Sequence, residues 1–412
     1  MVKNHKASTS SDNTKLPKQH FCKEEGHVSL YVHLPYCVKK CRYCDFNSYA
    51  YTDQDIDAYL NNLLLEAKLR ATDLKPHTLF VGGGTPSLIA ADKLRWFLEE
   101  LHNITGFYDS AVEATMEANP ESLDLETAQA VYAGGINRLS LGFQSLQNDV
   151  LLAYDRVHDV HTSLEAFRQA RVAGFDNINV DLIYSFPGQD PKQWGDDLKA
   201  MHALGPEHLS CYELSYEPGT SLTKLRNAGR HHPNSNEFAA MMFKMTRELN
   251  SAAGYKPYEV SAFAKEGRQC LHNLAYWNSR PYVGIGAGAA SWQHPYRTMN
   301  LATPEKYIAA ISSGKDFHSE KSDCEPQTIL FDALMMGLRL EQNGISVERL
   351  QELSGIDARK HYADIWQKLE GLNMVEFVER NNTTLIRATP TGYLHLDTIL
   401  TELLPNEKTM SV

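Results

Sequence analysis

HVSLYVHL at 27–34, continued by PYCVKKCRYCDFNSY at 35–49, sets the frame for reading the whole chain. The first eight residues form a short apolar run of the kind that makes a buried strand. Directly after it, Cys37, Cys41 and Cys44 fall in a C-x3-C-x2-C spacing, and Phe46 stands two residues further on. A strand whose carboxyl end opens into a loop of ligand-type side chains points to an α/β protein, where ligands gather beyond the carboxyl ends of parallel strands.

The same pattern repeats along the chain. Further strand-like runs occur at TLFVG (78–82), AVEATMEA (111–118), INRLSLGF (136–143), INVDLIYSF (178–186) and HLSCYELS (208–215). Segments with helical periodicity follow each run, such as DKLRWFLEELHN and NEFAAMMFKMTRELNSAAG. Gly134, Gly174, Gly205 and Gly254 stand as helix stops, and Asp190-Pro191 as a capped helix start. Six βα units imply a parallel sheet with right-handed crossovers. An open partial barrel and a doubly wound sheet both fit that count, and the partial (βα)6 barrel is the expected fold. Its strand ends carry the chemistry: the cysteines, Gly82-Gly83-Gly84-Thr85-Pro86, Glu117-Ala118-Asn119-Pro120, Gln144, and Asp181 within the fifth strand.

Composition narrows the class. The 412 residues are 42% hydrophobic and 22% charged, with a formal net charge of −11, which argues against non-specific binding to a phosphate backbone. No apolar run approaches the roughly 18 residues of a membrane-spanning helix. Residues 1–27 are polar and lysine-rich without a hydrophobic core, so a disordered tail rather than a secretory signal is expected. Seven cysteines without such a signal imply a reducing, cytoplasmic setting.

A structural zinc site takes four ligands, commonly in pairs, and no second pair occurs in this chain. Three thiolates on a four-iron cluster leave one iron without a protein ligand and open to a small chelating molecule. The cluster is therefore preferred over zinc or a chance loop.

CVKKCRYC, with YVHLP before it and GGGTP about forty residues later, resembles the radical S-adenosylmethionine superfamily. Within it, YVHLPYC with CDF, GGGTPS, EANPES, LSLGFQS, NVDLIYSFPGQ and HNLAYW together resemble the HemW family, haem-chaperone relatives of the oxygen-independent coproporphyrinogen III dehydrogenase. The likeness runs from about residue 28 to 405. It implies that Cys37, Cys41 and Cys44 bind a [4Fe–4S] cluster whose fourth iron is chelated by S-adenosylmethionine. It also implies that Tyr31, Tyr43, Gly83, Gly84, Thr85, Glu117, Gln144, Arg156 and Asp181 line the cofactor pocket. The glycines would let backbone approach the cofactor's amino group, Asp181 would take ribose hydroxyls, and Arg156 would face the carboxylate. GGGTP is not a P-loop, since no Lys-Ser or Lys-Thr follows.

In the resemblance, the dehydrogenase branch carries a fourth cysteine where this chain has Phe46, and the chaperone branch carries Phe. In CLHNLAYW (270–277), His272 is the candidate haem ligand, with Tyr276 and Trp277 as packing faces and Cys270 as a second candidate. By itself His272 reads as an ordinary buried histidine. In GIGAGAAS (284–291), Ala290 stands where relatives often have His.

After SDCEPQT (322–328) the pattern changes to helices and a hairpin turning at Asn381-Asn382, like a winged-helix module. Six basic against nine acidic residues over 343–405, a net of −3, argue against DNA binding and for covering the site or docking a protein. The expected organisation is a tail (1–27), a barrel (28–255), a linker region with HNLAYW (256–321), a winged-helix-like domain (322–405) and a tail (406–412). The expected function is that of a haem chaperone holding a cluster and S-adenosylmethionine and delivering haem to haem-requiring proteins. A second copy of the chain is a candidate partner. The rivals are the dehydrogenase, which would generate a radical from the cofactor, and a zinc-bound interaction protein.

Overall fold

The computed structural model describes residues 28–405; the expected tails, 1–27 and 406–412, lie outside the described residues. The six expected strands are present: β1 (Ser29–Leu34), β2 (Thr78–Gly83), β3 (Glu113–Ala118), β4 (Arg138–Gln144), β5 (Ile178–Tyr184) and β6 (His208–Glu213). Each pairs in parallel with the next, in chain order. A doubly wound sheet would reverse direction at a central strand. Unbroken order winds all the crossover helices onto one face, which gives the wall of an open barrel.

Those helices are α1 (Ile56–Arg70), α2 (Ala91–Thr105), α3 (Leu125–Ala133), α4 (Val160–Ala173), α5 (Pro191–Leu204) and α6 (Asn236–Ala252). Leu60, Leu63 and Ala67 of α1 are fully buried, three and four residues apart on one face. Burial of each leucine there contributes about 1.5–3 kcal/mol. Asp190 caps α5 by accepting from the Lys192 N–H, with Pro191 in the first turn. After α3 the left-handed residue is Gly135 (φ 88°) rather than Gly134, because the helix runs one residue further before it turns.

Residues 256–321 are not a linker. They add β7 (Lys256–Pro257) and β8 (Ala262–Ala264) beside β6, and β9 (Tyr282–Ile285), β10 (Ala290–Gln293), β11 (Tyr296–Asn300) and β12 (His318–Asp323) beside β1. β9 is parallel to β1 and acts as a seventh barrel strand; β10 to β12 run antiparallel. The result is a twelve-stranded sheet. These strands are short, and HSEKSD of β12 has no apolar alternation, so periodicity gives no sign of them. Between β8 and β9 lies α7 (Leu271–Trp277), the HNLAYW helix.

The C-terminal region begins with α8 (Pro326–Gly337) and has its own core, in which Leu330, Leu334, Ile386 and Ile399 are fully buried. Its sheet has the order β13 (Ile345–Ser346), β15 (Thr383–Ala388), β14 (Val375–Arg380), one short strand more than the expected two-stranded wing. Asn381 and Asn382 both have positive φ, as a two-residue hairpin turn requires. Among the described residues no helix is long and apolar enough to cross a membrane.

Candidate functional site

The cysteine loop leaves β1 at Pro35 and is closed by a parallel pairing of Tyr36–Cys37 with Tyr49–Ala50. His33, at the end of β1, fastens it: Nε2 donates to the Asn47 carbonyl (2.9 Å), so Nδ1 is unprotonated and accepts from the Tyr31 hydroxyl (2.8 Å). Lys40 donates to the Phe46 carbonyl (2.9 Å), and Asn47 donates to the carbonyls of Ala287 and Ala302, each at 3.0 Å. The loop is thereby fixed to the segment read as a linker.

The glycines at the end of β2 have a packing role beyond the one expected. Gly83 has φ 113°, and a Cβ there would fall 2.4 Å from the His33 ring; one on Gly84 would fall 2.6 Å from the Tyr36 carbonyl oxygen. The Gly84 N–H donates to Leu34 O and the Thr85 N–H to Tyr36 O, both at 2.7 Å. Close packing of the glycine loop on the cysteine loop is sufficient to require these residues.

Cys37, Cys41 and Cys44 are half-buried and line one cavity of about 540 Å³ inside the barrel. Each thiol has a polar neighbour: the Thr85 hydroxyl for Cys37, Arg156 Nη1 for Cys41 (3.4 Å) and the Ser48 hydroxyl for Cys44 (3.8 Å). Burial raises the pKa of Cys37 and Cys44, and the neighbouring thiols add to that. Among the described residues no three His, Cys, Asp or Glu side chains converge on a single-ion site. Three thiols spread along one wall, with donors to stabilise thiolates, fit a cluster whose irons are ligated separately.

Tyr31, Tyr43, Gly83, Gly84, Glu117, Gln144, Arg156 and Asp181 line the same cavity. Thr85 does not: it is 2% exposed and sits behind the wall, accepting from Asn119 Nδ2 (2.8 Å). Asn119, a strand-end candidate not among the expected cofactor residues, also accepts from Arg156 Nη2 (2.7 Å), which donates to Gly142 O as well (3.0 Å). Gln144 is turned toward the cavity by a register break in the pairing of β4 with β5 and has φ 68°, a strained position for a residue other than glycine. Asp181 accepts from Ser140 (3.0 Å) and Asn179 (2.8 Å).

Glu117 accepts from the Gly83 N–H (3.0 Å), and its pKa is raised to about 7, by burial first and further by the charge of Asp181, with the Gly83 bond opposing. A carboxyl raised on folding stabilises the fold fully below its unfolded pKa, and that contribution is lost as pH rises through about 7. Glu117→Gln is therefore expected to gain on the order of 1–3 kcal/mol relative to the parent between pH 4.5 and 8. Urea unfolding of both proteins across that range measures it, and parallel pH profiles would refute it.

The cavity continues to the amino ends of the strands, where α7 forms the floor. Glu113, at the start of β3, accepts from the N–H groups of Leu271 and His272, each at 3.0 Å, and from the Cys270 thiol (3.5 Å). Thr78 donates to Ser29 (2.8 Å), so it accepts from His272 Nδ1 (2.8 Å), and His272 Nε2 then accepts from the Tyr276 hydroxyl (2.8 Å). The ring is 0% exposed and lies 5.2 Å, centroid to centroid, from Phe80. Burial lowers its pKa to about 3, with the charge of Arg138 adding. His272 is thus neutral, as a metal ligand must be, but both nitrogens are occupied. Cys270 is equally buried. Tyr276 also borders a second, apolar cavity of about 380 Å³ that Trp277, Ala290 and Met336 help to line, between the sheet extension and α8.

An open parallel barrel with a three-thiol loop after its first strand and a polar chamber inside defines the radical S-adenosylmethionine class. The Radical SAM superfamily pattern matches residues 31–201. The chain is 34% identical over 332 residues to the heme chaperone HemW of Bacillus subtilis, covering 79% of this chain and 87% of that protein. It is 38% identical over 306 residues to the heme chaperone HemW of Haemophilus influenzae, covering 72% and 78%. Among solved structures, it is similar to the coproporphyrinogen III oxidase HemN of Escherichia coli, a radical SAM enzyme, with a TM-score of 0.76 over 92% of this chain and 90% of that one, at 21% identity. The chain belongs to the HemW family.

Proposed function

We propose that this protein is a haem chaperone that holds a [4Fe–4S] cluster and S-adenosylmethionine at the mouth of the barrel, binds haem, and passes it to haem-requiring proteins in the cytoplasm. The observation that carries this reading is the loop itself: three thiols on one cavity wall, with Phe46, 61% exposed, where the dehydrogenase branch would have its fourth cysteine. The relatives named as heme chaperones support it; the likeness to the oxidase is one of fold.

Cys37, Cys41 and Cys44 would hold the cluster, which supplies an open iron and one-electron reducing power when bound. Arg156, immobilised by Asn119 and Gly142 O, presents a fixed positive charge beside Cys41 for the cofactor carboxylate. Glu117 accepts a hydrogen bond from the cofactor ammonium, whose charge favours the ionised carboxylate. Asp181, oriented by Ser140 and Asn179, receives the ribose hydroxyls.

For His272 to reach haem iron, Tyr276 must release Nε2. Tyr276→Phe removes that competitor, and haem binding followed by Soret absorbance is expected to tighten several-fold, while His272→Ala weakens it and shifts the band. Unchanged titrations in both variants would make His272 a structural plug. The reading as a whole is tested by anaerobic titration of cluster-reconstituted protein. Saturable haem binding with no turnover of coproporphyrinogen III is expected; turnover without haem binding would give first place to the dehydrogenase.

A further inference from the structure

Arg138 is the first residue of β4, and its side chain enters the barrel, 2% exposed, as part of the cavity lining. Its Nε has no hydrogen-bond partner among the described residues. The polar groups around it are already committed to one another. Asn179 Oδ1 accepts from His208 (2.6 Å) and from Ser210 (3.1 Å), and His208 also bonds the Tyr258 hydroxyl (2.9 Å). Ser140 donates to Asp181 and accepts from Asn179 (2.7 Å). Glu113 and Asp181 act on Arg138 only through their charge, because Glu113 caps α7 and Asp181 is held by Ser140 and Asn179.

An always-charged, five-donor side chain that is 2% exposed and has no hydrogen-bonded anion among the described residues is costly, and removing such a charge from water is offset only by a well-placed partner. The fork of a guanidinium matches a carboxylate in two parallel bonds. Arg138 lines the same chamber as His272, at the amino end of β4 and so away from the cysteine loop.

We propose that Arg138 anchors a carboxylate arm of the ligand that enters the barrel, which on the haem reading above is a porphyrin propionate. Arg156 serves the carboxylate of S-adenosylmethionine at the other end of the cavity, so the two anionic sites are separate. The propionate assignment rests on the proposed haem function; the carboxylate chemistry rests on Arg138.

The test is a pair of equilibrium titrations of cluster-reconstituted protein, with haem and with haem dimethyl ester, in wild type and in Arg138→Gln, alongside equilibrium dialysis with S-adenosylmethionine. Wild type is expected to bind haem about 10- to 100-fold more tightly than the ester, the range for a charge-assisted hydrogen-bonded pair. Arg138→Gln is expected to lose that preference while binding S-adenosylmethionine as wild type does. Equal affinity of wild type for haem and ester overturns the role of Arg138 and leaves the chaperone reading standing. Preference retained in the variant, or loss of S-adenosylmethionine binding instead, also overturns it. Absence of haem binding in wild type removes the chaperone reading and the propionate with it. Should Arg138→Gln not fold, the wild-type titrations together with Arg138→Lys, which keeps charge but not the fork, decide: a partial loss of ester discrimination supports the anchor and full retention refutes it.

Discussion

Alanine in place of Cys41 is expected to eliminate the iron–sulfur centre. Anaerobically reconstituted wild type should carry about four irons per chain with a broad visible charge-transfer band, and Cys41→Ala should carry none. The magnitude follows from ligand number: three thiolates leave no protein ligand in reserve, and the site where a fourth would stand is Phe46. Cys211 and Cys270 are buried away from the loop, so alanine at either should leave the iron content unchanged. Cys41 also accepts from Arg156 Nη1, so the variant leaves that guanidinium nitrogen without this acceptor. Iron retained in Cys41→Ala, or one zinc per wild-type chain, would contradict the cluster.

The second large effect concerns Glu66. Its carboxylate is 0% exposed and accepts from Arg70 Nη1 (2.8 Å), Asn300 Nδ2 (2.9 Å), the Gly286 N–H (2.8 Å) and the Tyr307 hydroxyl (2.6 Å). Arg70, 6% exposed, donates onward to Gly284 O and Ser291. Glu66→Ala leaves a buried guanidinium and three other donors without their acceptor, and is expected to cost about 3–5 kcal/mol in urea unfolding. Glu66→Gln should recover only part of this, since its NH2 turns one acceptor into a donor facing donors. Because residues 284–302 hold Asn47 through the carbonyls of Ala287 and Ala302, both variants should also retain less iron than wild type in proportion to their instability. A loss below 1 kcal/mol in Glu66→Ala would show that the extension does not depend on this carboxylate.

These two residues mark the limit of what could be read beforehand. Cys41 is legible because its spacing to Cys37 and Cys44 is local. Glu66 lies in LLLEAKLR, where it looks like an ordinary solvent-facing charge paired with Arg70 four residues on; the residues that bury it are more than 200 positions away. Thr85 shows the reverse error. Its motif places it at a strand end, but the side chain turns behind the wall to support Cys37 and Asn119. His272 was legible as a candidate ligand, whereas its occupancy by Thr78 and Tyr276 depends on α7 docking under the barrel.

The sequence by itself determined the six βα units, the helix caps, the three-thiol loop and the strand-end residues that meet around one cavity. Periodicity, spacing and capping are properties of neighbours along the chain, so they survive without knowledge of the fold. Only the tertiary structure decided that the strands follow chain order into an open barrel and that 256–321 extends the sheet. It alone brought Arg138, Glu113, His208 and α7 together beneath the residues expected to hold the cofactor. Those outcomes depend on pairings between distant segments, and on which polar groups are left without a partner once the segments pack, which no local pattern encodes.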